Sequence, residues 1–127
     1  MKEIINTKNA PAPIGPYNQA VLANDTLYIS GQIAINPTTG NLITDAITLE
    51  TKQVFENLKA ILAEANFTFE NIVKTSIFLS SMEYFATVNE VYSTYFSNDS
   101  APARETVAVN SLPKGVNVEI SAIAVRS

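Results

Sequence analysis

Cysteine, histidine and tryptophan are all absent from this 127-residue chain. Without cysteine there is no disulfide, no thiol nucleophile and no zinc–thiolate site. Without histidine there is no imidazole base, which removes the common catalytic triads. A metal would need carboxylates alone, and the sequence has no closely spaced carboxylate cluster, so no metal or other cofactor is expected. No Gly-rich run leads into Lys-Ser/Thr, so Gly31 does not belong to a phosphate loop. No apolar run approaches a membrane span, and Met1 to Asn6 is too short and polar for a secretory signal. A cytoplasmic protein with no membrane partner is the expectation. Positive charge is sparse: eight Lys+Arg face twelve Asp+Glu, for a net charge of -4. Lys2, Lys8, Lys52, Lys59, Lys74 and Lys114 are scattered, whereas phosphate backbones need clustered positive charge, so no nucleic-acid partner is expected. What remains for chemistry is Glu, Asp, Tyr, Ser, Thr, Lys, Arg, backbone groups and water.

Apolar residues make up 46% of the chain and charged residues 16%, a globular profile. With no linker or repeat, residues 1–127 read as one domain. The segment from Ala10 to Pro16 holds three prolines and a glycine and is predicted as an ordered loop packed on the body. Gln19 to Ala23 and Thr26 to Ser30 read as strands joined by an Asn24-Asp25 hairpin turn, with Gly31 ending or bulging the second. Asn36 to Gly40 is a further turn. Asp45 is the expected N-cap of a helix running to about Ala65, with Ile47, Thr51, Val54, Leu58, Ile61, Leu62 and Ala65 on one face and Asn66 as terminator. Val73 to Leu79 alternates Val73, Thr75, Ile77 and Leu79 against Lys74, Ser76 and Phe78, which reads as a strand with the first set inward. Ser80 with Glu83 fits a capping box opening a second helix, whose Phe85, Val88, Val91, Tyr92, Tyr95 and Phe96 turn inward. Glu105 to Val109 and Val116 to Val125 close the list of strands. The order predicts an α+β fold, a single mixed sheet with both helices on one face. In the last strand Val116, Val118, Ile120, Ala122 and Ala124 form one side. The other side, with Asn117, Glu119, Ser121, Ile123 and Val125, is polar at one end and apolar at the other. Such a face suits burial against another subunit with a polar pocket at one edge. A solvated face with two exposed aliphatics is the plainer alternative.

Only two arginines exist, and Arg126 is next to last. Arg104 follows Pro102, at the start of a strand on stiff backbone. Its guanidinium fork can hold a carboxylate by two parallel hydrogen bonds, or serve in an ordinary surface ion pair; the residues alone leave both open. Glu119 lies between Val118 and Ile120, where an acid suits either a solvated face or a pocket in which it orients or deprotonates water. Tyr17 can donate a hydrogen bond or wall a pocket, and Ser30-Gly31 allows a ligand to approach the backbone, but turn chemistry explains each as well.

Together these segments resemble the Rid family of YjgF-like reactive intermediate deaminases, and its RidA subgroup most of all. The resemblance rests on Ala12-Pro13-Ile14-Gly15-Pro16-Tyr17-Asn18-Gln19-Ala20 and Leu27-Tyr28-Ile29-Ser30-Gly31-Gln32-Ile33. Pro102-Ala103-Arg104 and the run from Leu112 to Ile120 complete it, so that it spans nearly the whole chain in order. It implies a chorismate-mutase-like fold and a homotrimer with sites in the clefts between subunits. It further implies hydrolysis of 2-aminoacrylate and 2-aminocrotonate, enamines released by pyridoxal-phosphate dehydratases, to 2-keto acids and ammonia. Carried over by position, Arg104 binds the substrate carboxylate, Glu119 handles the water, and Tyr17, Ser30, Gly31 and Asn89 line the pocket. Thr106, two residues past Arg104, shares its side of the strand. Glu105 stands where many members carry a small residue, and alternation points it away from Arg104. Thr106 replaces a cysteine found in some members, which argues against a thiol-dependent role. Two other functions compete: a non-catalytic trimer that binds small carboxylates, and the ribonuclease or translation-inhibitor role associated with relatives. The acid at position 119 argues against the first, and the acidic pI of about 4.7 against the second.

Overall fold

The computed structural model describes residues 1–127. The paired apolar runs near the N-terminus form β2 (Ala20–Ala23) and β3 (Thr26–Gln32), joined at Asn24, whose φ of 55° suits the short polar side chain. A strand that the sequence reading did not anticipate, β1 (Lys2–Ile5), adds to β2. Only Ile5 of its four residues is buried, so no alternation marks it. Helix α1 (Ile47–Glu64) leads to β4 (Ile72–Leu79), and α2 (Phe85–Tyr95) leads to β5 (Ala103–Ala108). The last strand, β6 (Val118–Val125), inserts into the middle of the sheet. The order is β1-β2-β3-β6-β4-β5, antiparallel throughout except for the β4–β5 pair, which α2 bridges. This is the expected α+β architecture: one mixed sheet and two helices.

Both helices pack on one face. Phe55, Leu58, Ile61 and Leu62 of α1 and Val88, Val91 and Tyr92 of α2 meet Val118, Ile120, Ala122 and Ala124 of β6 in a single apolar core. The expected inward stripes of both helices and of β6 are present. Phe55 stacks on Tyr95 with ring centroids 4.4 Å apart, and Phe69, Tyr92 and Phe96 crowd the same spot. No helix is long and apolar enough to cross a membrane.

Three local expectations are corrected. Asp45 does not cap α1: Ala46, with extended φ and ψ, occupies the N-cap, and no side chain bonds there. The helix starts one residue later than the cap signal suggests, and its open N–H groups are left to solvent. Ser80 does not cap α2 either. Ser81 accepts from the Glu83 N–H and caps a single 3-10 turn at Met82–Tyr84, from which α2 continues. Val73 does not join the inward row of β4. A register shift between Ile72 and Lys74 turns it outward, 49% exposed, and gives its core position to Ile72. By contrast, Asn66 does end α1, in the left-handed conformation with φ 64°.

The helix-free face of the sheet carries its own pattern. Ile4, Val21, Tyr28 and Ile123 are successive cross-strand partners over β1, β2, β3 and β6. Phe78 and Val107 are paired on β4 and β5. Among them Tyr28 is 51% exposed and Val107 43% exposed. Glu119, on the same face, pairs with Phe78.

Candidate functional site: two half-sites on opposite faces

The first half-site surrounds Glu119. Alternation in β6 buries Val118 and Ile120 towards the helices and sends Glu119 to the open face. There its carboxylate lies against Gly31: a Cβ placed on Gly31 would stand 2.5 Å from Glu119 Oε2 and 2.8 Å from its Cδ. Gly31 is not in a left-handed conformation, so this glycine is needed for space. A register irregularity between Ile29 and Gln32 brackets it, so that it sits at a bulge inside β3. A cavity of about 590 Å³ opens beside the pair, lined by Tyr17, Ser30, Gly31 and Glu119 together with Pro11, Ala12, Ile14, Gln19, Ile33, Ile35, Pro113 and Lys114. Burial pushes the Glu119 carboxyl above its ordinary range. The Ser30 hydroxyl donates to the Asn18 carbonyl at 2.7 Å, which ties β3 to the loop carrying Tyr17.

Gln19, read from the sequence only as part of a strand, holds this wall in place. It is 2% exposed. Its amide nitrogen donates to the carbonyls of Thr7, Ala10 and Pro11, and its oxygen accepts from the Thr7 N–H at 2.6 Å. The Pro-rich segment is therefore an ordered pocket wall. A buried amide between strand and loop was the only signal, and nothing in the sequence shows it to be buried.

The second half-site surrounds Arg104 on β5. Arg104 pairs with Thr75, whose hydroxyl lies 2.8 Å from the Tyr92 hydroxyl in the core, so Arg104 sits on the helix face. Its guanidinium lies over the Tyr92 ring at 4.7 Å and near Phe85 at 5.7 Å, and Nη1 donates to Asn89 Oδ1 at 2.7 Å. The chain's ion pairs are Lys74–Glu105 and Arg126–Asp25. Arg104 is thus held by an amide and an aromatic face while no carboxylate of the chain neutralises it. A cavity of about 400 Å³ adjoins it, lined by Asn89, Tyr92, Ser93, Phe96, Asn98, Ala101 and Pro102. Burial pushes the Tyr92 hydroxyl up, opposed by its bond to Thr75 and by the Arg104 charge. Thr106 lies on the same side of β5 with a buried hydroxyl oxygen that has no hydrogen-bond partner. Glu105 points the other way, to Lys74 Nζ at 2.9 Å and to the Ser76 hydroxyl. Those partners, Ser76 first, hold its carboxyl below the ordinary range.

Within one chain, then, Tyr17, Ser30, Gly31 and Glu119 come together, and so do Asn89 and Arg104, but the two groups open on opposite faces of the sheet. No set of three acidic residues converges to form a metal site.

The Endoribonuclease L-PSP family model matches residues 7–126. A RutC family protein of Pyrococcus horikoshii is 50% identical over 98% of this chain and 98% of its own. The 2-iminobutanoate/2-iminopropanoate deaminase of Mus musculus is 48% identical over 99% of this chain and 93% of its own. The crystal structure of a putative endoribonuclease from Thermotoga maritima superposes with a TM-score of 0.97 at 49% identity, covering 100% of this chain and 99% of that one. The names of these relatives diverge, while sequence and fold agree over essentially the full length. The chain therefore belongs to the Endoribonuclease L-PSP family, the Rid or YjgF-like proteins.

Proposed function

We propose that the protein is a cytoplasmic 2-iminobutanoate/2-iminopropanoate deaminase, hydrolysing the enamines and imines of 2-amino acids to 2-keto acids and ammonia. We further propose that its sites form where the Arg104 half-site of one subunit meets the Glu119 half-site of the next in a homotrimer. The observation that carries this reading is the state of Arg104. Its guanidinium is oriented by Asn89 and Tyr92 and lacks an internal carboxylate, an arrangement that suits an incoming one. The name of the mouse relative supports the reaction class.

The chemistry needs few groups. The enamine tautomerises to the imine by taking a proton at C3 and giving one up at nitrogen. Water then adds to C2 of the imine, the carbinolamine loses ammonia, and the C2 carbonyl of the 2-keto acid remains. Arg104 anchors the carboxylate and so reduces the entropic cost of reaching the reactive geometry. Thr106, with its unpartnered hydroxyl, offers a further hydrogen bond on that side. Glu119, whose carboxyl is pushed up by burial, accepts a proton from the attacking water and returns one to the leaving nitrogen. Tyr17, Ser30 and Gly31 shape the cavity around it. The test couples a serine or threonine dehydratase to the protein and follows keto-acid release. Faster release than the uncatalysed rate is expected. Release at the uncatalysed rate, with pyruvate still bound, would identify a carboxylate-binding protein without this activity.

A further inference from the structure

Glu50 is fully buried in the first turn of α1 and belongs to neither half-site. A buried carboxylate is costly unless its oxygens are hydrogen-bonded, and here both are. Oε2 accepts from the backbone N–H groups of Asn117 at 2.7 Å and Val118 at 2.9 Å, and Oε1 accepts from Asn117 Nδ2 at 3.1 Å. Two successive N–H groups converging on one oxygen form a small anion-binding concavity in the main chain. Asn117 is gripped from its other side by Ser80: the Ser80 hydroxyl donates to Asn117 Oδ1 at 2.8 Å, and the Ser80 N–H to the Asn117 carbonyl at 3.0 Å. The clamped residues immediately precede Glu119.

We infer that Glu50 is a positioning residue for Glu119, fixing through Asn117 and Val118 the direction in which β6 delivers that carboxylate to its cavity. The inference rests on the reading of Glu119 as the group that handles water. Arg104 sits on the helix face, as Glu50 does, but its partners are Asn89, Tyr92 and Phe85, none of which belongs to the clamp, so substrate anchoring does not depend on Glu50. Glutamine at position 50 can keep one oxygen on the two backbone N–H groups. Its amide NH2 then faces Asn117, which can flip to accept from it while donating to the Ser80 hydroxyl. Alanine offers no acceptor at all.

The test compares wild type, Glu50→Ala, Glu50→Gln and Ser80→Ala in the dehydratase-coupled assay, at a temperature where circular dichroism shows each variant folded. Carbon-detected NMR titration of the Glu119 carboxyl accompanies it. Glu50→Ala is expected to lower kcat by about 10- to 10²-fold, the scale of a misplacement of about 1 Å. KM should stay within about twofold. The Glu119 titration should move, and Glu50→Gln should restore most of kcat. If Glu50→Ala does not fold, Ser80→Ala carries the test, with kcat expected to fall about threefold and KM unchanged. A folded Glu50→Ala, or failing that a folded Ser80→Ala, with wild-type kcat and an unmoved Glu119 titration overturns the inference. So does a loss in kcat matched in KM that glutamine does not restore. If wild type itself is inactive while Glu50→Ala still displaces the Glu119 titration, the deaminase reading fails and the clamp stands.

Discussion

At the residue scale, Arg104 should separate binding from folding. It is exposed, and its protein partners are one amide and two aromatic rings, so Arg104→Ala should leave thermal unfolding nearly unchanged. A hydrogen bond to a charged group contributes roughly 1.5–3 kcal/mol, so losing two should lower kcat/KM by at least ~10²-fold in steady-state assays. Arg104→Lys should recover only part, since an ammonium keeps the charge and loses the fork. Pyruvate should raise the melting temperature of wild type and not that of Arg104→Ala. For Glu119 the sign of the pH effect is fixed by burial. A carboxyl with a raised folded pKa binds its proton more tightly when folded. Stability is therefore lost as pH rises from the ordinary value of 4.5 through the raised one. Glu119→Gln should melt higher than wild type at pH 7, with the difference vanishing below pH 4.5, while turnover falls ~10²–10⁴-fold. Equal melting temperatures at pH 7 would mean that the carboxylate is better solvated than its cavity suggests.

At the scale of elements, the ends of α1 show what local sequence can and cannot specify. Asn66 terminates the helix because a short polar side chain tolerates φ 64°, a preference that belongs to the residue itself. Asn66→Ala should therefore cost about 1 kcal/mol in urea unfolding, and Asn66→Gly little or nothing. The start of the helix shows the converse: Asp45 has the right side chain for a cap, but Ala46 takes the N-cap position with extended φ and ψ and no side-chain bond, so the preference of one residue does not set the boundary. Helix stripes and the alternation of β6 were legible because burial on one side imposes a period. Strand β1 was not, since with three of four residues exposed its pairing with β2 leaves no period to read. The candidate site residues Arg104 and Glu119 stood out by rarity and by position, and then by resemblance. Gln19 and Glu50 did not, because a polar residue betrays its burial only through partners distant in sequence, 67 residues away for Glu50 and Asn117.

For the whole molecule, the helix-free face sets the oligomeric prediction. Ile4, Val21, Tyr28 and Ile123 form a continuous apolar row that one chain leaves uncovered, with Phe78 and Val107 nearby. Covering such a row is the ordinary reason for a closed homo-oligomer. Ile123→Glu should yield a folded but monomeric and inactive protein by light scattering. A monomeric wild type with full activity would sink the intersubunit site. The division of Arg104 and Glu119 between the two faces of one sheet also has a genetic reading. A gene carrying Arg104→Ala and another carrying Glu119→Gln would each be null, yet neither loss is recessive to the other in the usual sense. Co-expressed in equal amounts and mixed at random, they should complement: about a quarter of subunit junctions would join an intact arginine to an intact acid, and activity should return in that proportion.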